Sequence, residues 1–335
     1  MTAPEIEPPR PQPEVSVALV GICGPTHLAR CLDALRAQRA APAFDIVVAY
    51  DPELDGVAEL ASRYPEARLV CNRGQRTPLE LASRAIEESR GEIVLLSEDH
   101  CIPAEDWVAE LSAAVREHGA ATGGSVDVVA GATATDWAFY FVDFFRYAPP
   151  LREGESPTLT VCNVGYRRSA LEAIAETWRS KFFHETAVND RLRQRFGPLW
   201  LTPRARVTMD RRVTLRAALY ERYAFGRLFG CTRLEFATLP MRALYTLLAP
   251  LLPLLLMARM AARALPAARL RAPLLRALPV LGGLVVSWSL GEWLGYLTRR
   301  RPARLTVAPE RGPARPRARA SRADRSRVGA PETHP

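Results

Sequence analysis

Short apolar runs alternate with amphipathic stretches from residue 15 to about residue 235. Residues 15–22, VSVALVGI, are continuously apolar, which predicts a strand covered on both faces. Residues 26–38 place Leu28, Cys31, Leu32 and Leu35 on one helical face behind Thr26 as N-cap. Residues 44–50 predict a second buried strand, 54–64 a second helix and 67–71 a third strand. Thr77, Pro78 and Glu80 form a capping-box pattern that opens a helix over 77–89. A fourth strand follows at 92–97 and a helix at 104–117. This alternation predicts an α/β fold with a mostly parallel sheet and helices on both faces. Ligands in such sheets bind beyond the carboxyl ends of the strands.

The pattern is less regular further on. Residues 120–131 predict a strand preceded by a glycine pair, and 158–171 a strand, a turn and a helix start. Residues 184–197 predict a short helix closed by Gly197, 199–209 an extended segment, and 215–234 a helix rich in arginine and aromatics. Four regions therefore separate: a proline-rich tail at 1–14, an α/β domain at 15–235, strongly apolar helices at 239–298, and a basic tail at 299–335. Both tails lack apolar periodicity and are expected to be disordered.

Charge narrows the partners. The net charge is +9, and Lys181 is the only lysine, a bias that reads as genomic composition. A basic chain suits nucleic acid, an anionic membrane surface or phosphorylated substrates. The basic tail has no aromatic residue for base stacking, which argues against nucleic acid. The six cysteines are scattered without C-x-x-C spacing, which argues against structural zinc and fits a reducing compartment. The proline-rich, acidic start has no apolar h-region, so no secretory signal is expected.

The candidate chemistry sits in VLLSEDHCIP, residues 94–103, where an apolar strand ends in Glu98, Asp99 and His100. A divalent ion holding a diphosphate needs only one or two protein carboxylates, because phosphate oxygens and water complete its shell. Asp99 is the leading ligand, flanked by Glu98 and His100; the alternative is a solvated turn into the next helix. Other motifs carry less. Residues 21–28 do not form G-x-G-x-x-G, and adjacent His100 and Cys101 without partners make a poor zinc site.

In order and spacing, residues 15–230 resemble the family 2 glycosyltransferases, which have the GT-A fold. The segment VSVALVGICGPTHLARCLDALRAQ is similar to that family's opening strand and helix. FDIVVAYDPELDGV resembles its second strand, and CNRGQRTPLELASRAIEESRGEIVLLSEDHCIP its Asn-x-Gly segment, helix and metal-motif strand. GGSVDV, NVGYRRSAL and HETAVNDRL resemble the later glycine pair, the Asn-x-x-x-Arg-Arg stretch and the acceptor-side helix. The resemblance implies a nucleotide-diphosphate-sugar donor, Mg²⁺ or Mn²⁺ as cofactor, and inversion at the anomeric carbon. It implies Asp51 near the nucleotide base, Glu98 and Asp99 at the donor, Asp99 with His100 at the metal, and Asn163 in the donor–acceptor pocket. Glu185 is implied as the general base; its alternative is a first-turn acid favoured by the helix dipole. Arg222 and Arg227 are candidates to offset charge on the leaving diphosphate, or else residues of an ordinary helix face. The chain departs from the family pattern at Tyr50, Leu79, Glu80, Ser97 and His184, and it has no Gln-x-x-Arg-Trp. Ser97 stands where the family often has the first Asp of its metal motif, which leaves room for a non-catalytic scaffold or nucleotide-sugar sensor of the same fold.

Two apolar segments, 243–257 and 277–297, suggest membrane association, with Trp293, Tyr296 and Arg299–Arg301 as an interface anchor. A cytosolic nucleotide sugar would place the α/β domain on the cytosolic side, facing a lipid-linked or envelope acceptor. A spanning hairpin would export Arg259, Arg263, Arg269, Arg271 and Arg276, whereas helices lying in the interface would not. Core helices of a soluble domain are the remaining reading.

Overall fold

The computed structural model describes residues 13–72 and 77–302. Most of the proline-rich start, Gly74 of the Asn-x-Gly segment and the basic tail from 303 lie outside the described residues. The strands are β1 (Val15–Gly21), β2 (Phe44–Tyr50), β3 (Ala67–Cys71), β4 (Ile93–Glu98), β5 (Cys101–Pro103), β6 (Ala121–Val128), β7 (Gly154–Ser156), β8 (Val164–Arg167) and β9 (Leu199–Met209). The helices of the first half are α1 (Pro25–Arg36), α2 (Leu60–Arg63), α3 (Pro78–Glu88), α4 (Trp107–His118) and α5 (Ala134–Phe144). They are followed by α6 (Arg168–Glu172), α7 (Ala175–Trp178), α8 (Glu185–Phe196), α9 (Leu215–Arg233), α10 (Leu239–Leu248), α11 (Leu252–Ala264) and α12 (Ala268–Thr298).

The strands form one mixed sheet in the order β3-β2-β1-β4-β8-β6-β9-β5, with β7 on β9. The first four are parallel, and β8 runs antiparallel to both β4 and β6. All seven residues of β1 are buried, so the centre of the sheet is covered on both faces, as its unbroken apolar run requires. Thr77 and Glu80 make the expected capping box on α3. The helix expected over 54–64 shrinks to the single turn of α2. Asp51 opens a tight turn in which Leu54 N donates to Asp51 O at 3.0 Å, and Gly56 takes φ 79°, outside helical space.

The two apolar segments take different roles. Pro250 and Pro253 break the first into α10, a 3₁₀ turn at Ala249–Leu251, and α11. Both Leu239–Ala264 and Ala268–Thr298 are long and apolar enough to cross a membrane, but their most apolar windows are 6% and 39% buried. α12 is a packed helix. Its Gly291 and Gly295 meet Gly226 and Gly230 of α9 so closely that a Cβ on Gly291 would lie 2.1 Å from Tyr223 O, and one on Gly226 2.2 Å from Trp288 O. It also packs on α5 and α11, with Leu274, Leu281, Leu284 and Val285 buried. Two arginines of this region reach back to the α/β domain: Arg263 donates to Ala148 O and Pro150 O, and Arg269 pairs with Asp127 of β6.

Candidate active site

The carboxyl ends of β1 and β4 lie side by side, with Val20 in register with Glu98. The chain leaves β4 with Asp99 N donating to Val20 O at 3.0 Å. Asp99 is fully buried, and its Oδ2 accepts from the backbone N–H groups of Ile22 and Cys23 at 3.0 and 2.8 Å. One carboxylate oxygen thus fastens the loop after β1. The other, Oδ1, is buried with no hydrogen-bond partner among the described residues. It faces His100 Nδ1, also buried without such a partner, at 4.0 Å. Glu98 Oε2 lies 3.5 Å from the same nitrogen. Ligand atoms of Cys23, Asp99 and His100 all fall within 4.8 Å of one another.

The electrostatics suit a cation. Burial pushes Glu98 up to about 7 and Asp99 up to about 6. Burial pushes His100 down to about 3, so the imidazole is neutral at physiological pH and its lone pair is available. A carboxylate oxygen and a neutral imidazole nitrogen therefore face each other with a thiol alongside. Carboxylate oxygen and neutral imidazole nitrogen are both donors suited to a divalent cation.

Beside this strand end lies an ionic cluster that sequence reasoning did not assemble. Arg211, just after β9, makes a bidentate pair with Glu221 at 2.7 and 2.6 Å. Arg222 donates to Glu221 at 3.0 Å and pairs with Asp143 of α5. Both guanidiniums lie over the Phe139 ring, 5.0 and 4.2 Å from its centroid. The charge of Arg211 acts on Glu98, Asp99 and His100 alike. Arg222 is therefore held inside this cluster, and Arg227 instead joins α9 to the end of α12 through Arg300 O and Thr298.

Glu185 opens α8. Its N-cap, His184, accepts from Ala187 N, which explains how an imidazole replaces an acid before the candidate base. Glu185 Oε2 accepts from Val161 N at 3.1 Å, and burial pushes its carboxyl up to about 7, a value suited to a general base. Ser97 of β4 bonds to Cys162 and Glu185 to the preceding Val161, so the candidate base is tied to the chain beside the end of β4.

The remaining candidates separate. Asp51 sits beyond the end of β2, partly exposed, with its Oδ1 accepting from Glu53 N. Asn163 is fully buried and spends its side chain in the core: Oδ1 accepts from Trp107 Nε1, and Nδ2 donates to Ser125 O and Ala205 O. Ser97 donates to Cys162 O at 2.8 Å, fastening β4 to the segment before β8. The structure brings Glu98, Asp99 and His100 together and turns Asn163 inward. Cys23 and Arg211 were missed, although each closely follows a strand end, the place where such residues are to be sought.

Residues 25–175 match the model of glycosyl transferase family 2. Over these residues the chain matches a family 2 glycosyltransferase domain. The match takes in Asp51, Glu98, Asp99, His100 and Asn163 and ends before Glu185. No curated protein matches the chain in sequence. Among solved structures, the chain is similar to mannosyltransferase PcManGT from Pyrobaculum calidifontis in complex with GDP-Man and Mn²⁺, at 16% identity and TM-score 0.47, covering 86% of this chain and 74% of that one. It is similar to S. aureus TarS 1-349 in complex with UDP-GlcNAc, at 13% identity and TM-score 0.47 over 83% of this chain and 92% of that one. GalNAc-T7 with UDP, GalNAc and Mn²⁺ matches at 14% identity and TM-score 0.44 over 60% of this chain; the chain spans only 44% of its length.

Proposed function

We propose that the protein is an inverting glycosyltransferase that moves a sugar from a nucleotide-diphosphate sugar to an acceptor at the cytosolic face of a membrane. The observation that carries this reading is the pair of buried atoms, Asp99 Oδ1 and His100 Nδ1, 4.0 Å apart beside Glu98 at a strand end. Asp99 and His100, with Cys23 alongside, would hold a divalent cation, which when bound offsets the charge growing on the leaving diphosphate. Asp99 also orients the loop after β1 through Ile22 and Cys23, and Arg211 adds fixed positive charge near the same place. Glu185 takes the proton of the acceptor hydroxyl as that oxygen attacks the anomeric carbon. A single attack opposite the leaving diphosphate inverts the centre, and it needs one base and no protein nucleophile.

Two observations support a membrane address without a crossing. Leu247 and Leu254 of α10 and α11 are 76% and 72% exposed, too much apolar surface for a helix pair in water. Arg263 and Arg269 are bonded to the α/β domain, so the segment between the apolar stretches stays on the domain's side. Helices lying in the interface satisfy both facts. A thermal-shift screen of UDP- and GDP-sugars with Mn²⁺, followed by turnover assays of the hit in wild type and Glu185→Gln, tests the reading. A stabilising donor whose turnover needs Glu185 is expected; turnover independent of Glu185 contradicts it.

A further inference from the structure

A cleft of about 570 Å³ lies where the α/β domain meets α11. It is lined by Phe145, Arg146, Pro157, Thr158 and, from α11, Arg259, Ala262 and Arg263. Among the described residues the lining holds three guanidiniums and no carboxylate. Arg263 is fixed in place by its bonds to Ala148 O and Pro150 O, while Arg146 and Arg259 are exposed. Three guanidiniums around one cleft, with no acid in its lining, form a receptor for a phosphate-like group.

The cleft adjoins the candidate base. Thr158 accepts from Tyr147 Oη at 3.2 Å, and a little further along the chain the backbone N–H of Val161 donates to Glu185. The charge of Arg146 acts directly on Glu185. On its other side the cleft opens along α11, whose Leu254 and Leu255 are exposed. One wall therefore suits an anion and another an apolar chain, and the base is linked to the first through Arg146 and the segment from Thr158 to Val161.

Resting on the glycosyltransferase reading, we propose that this cleft is the acceptor site and that the acceptor is an anionic amphiphile. Arg146, Arg259 and Arg263 would hold its phosphate, the chain would lie along α10 and α11, and its hydroxyl would be presented to Glu185. Bulk anionic headgroups offer the same charge chemistry, so the test separates a single bound amphiphile from a charged surface.

The experiment uses the full chain and two probes, dodecyl phosphate below its micelle concentration and vesicles of phosphatidylcholine with or without phosphatidylglycerol. The double variant Arg146→Ala/Arg259→Ala removes the two exposed guanidiniums and leaves the one that bonds to the backbone. Thermal unfolding by circular dichroism establishes that it is folded, and Arg146→Lys/Arg259→Lys serves as a second variant that keeps the charge. Wild type is expected to bind dodecyl phosphate roughly tenfold or more tightly than the alanine variant, with the lysine variant in between. A neutral dodecyl maltoside probe should not distinguish them. Equal binding of dodecyl phosphate by all three overturns the proposal. Loss confined to phosphatidylglycerol vesicles, with dodecyl phosphate binding unchanged, also overturns it, because the cleft would then serve only surface charge. Nucleotide binding by wild type is measured separately, so failure of the donor reading and failure of the acceptor site appear in different experiments.

Discussion

Oδ1 of Asp99 faces Nδ1 of His100 at 4.0 Å, and neither buried atom has a hydrogen-bond partner among the described residues. The other oxygen of Asp99 accepts from two backbone N–H groups. One side chain thus fastens the loop after β1 and offers a second acceptor to the site. Asp99→Ala strands both N–H groups and should destabilise the fold by about 2–4 kcal/mol, read from the urea midpoint. Asp99→Asn keeps an acceptor for them and should cost clearly less, yet it should still lose metal-dependent nucleotide binding. An alanine variant as stable as wild type contradicts the bracing role.

Glu185 sets the pH response of transfer. Its carboxyl is raised to about 7, and only the ionised form accepts a proton. As pH falls below about 7 the base becomes protonated, so kcat/KM should fall about tenfold per unit, with a plateau above. Glu185→Gln should lower kcat by roughly 10²–10⁴-fold. A flat profile from about pH 5.5 to about pH 8 would remove Glu185 from the chemistry.

The contact of α9 with α12 allows no side chain at its glycines. Gly291→Ala puts a methyl 2.1 Å from Tyr223 O and should cost about 1–3 kcal/mol or more by forcing the helices apart. Gly282→Ala on the same helix meets nothing within 4 Å and should be neutral, or stabilising by up to about 1 kcal/mol. Thermal unfolding of the pair decides; equal effects would mean that α12 does not pack on α9 in this way.

Leu247→Asp with Leu254→Asp should abolish flotation with vesicles while leaving the melting temperature nearly unchanged, because both side chains are largely exposed. Each leucine buried in lipid contributes about 1.5–3 kcal/mol, so the double change removes roughly a hundredfold or more in partitioning. Undiminished flotation would place the membrane contact elsewhere.

Much of this was legible in the chain. The continuous apolar run of β1 and the capping box of α3 are local signals, and both elements form where those signals stand. The strand-end acids stood out as charge at the end of a buried strand, but a solvated turn would have read the same; the burial of Asp99 and His100 separates the two. What was not legible depends on distant contacts. Nothing local shows that Asn163 is consumed by Trp107, Ser125 and Ala205, far from it in the chain, or that Arg211 pairs with Glu221 across the turn into α9. The apolarity of residues 277–297 reads alike for a lipid-facing helix and a packed one. Only the spacing of Gly291 and Gly295, matched by Gly226 and Gly230, carried the difference.

The central claim is a nucleotide-diphosphate site completed by a cation at Asp99 and His100. Calorimetric titration of UDP and GDP into the full chain, with Mn²⁺ and then with EDTA, tests it most directly, with His100→Ala alongside. At least one nucleotide is expected to bind with Mn²⁺, and binding is expected to be lost with EDTA and in the variant. Binding of neither nucleotide, or binding indifferent to both Mn²⁺ and His100, would contradict it.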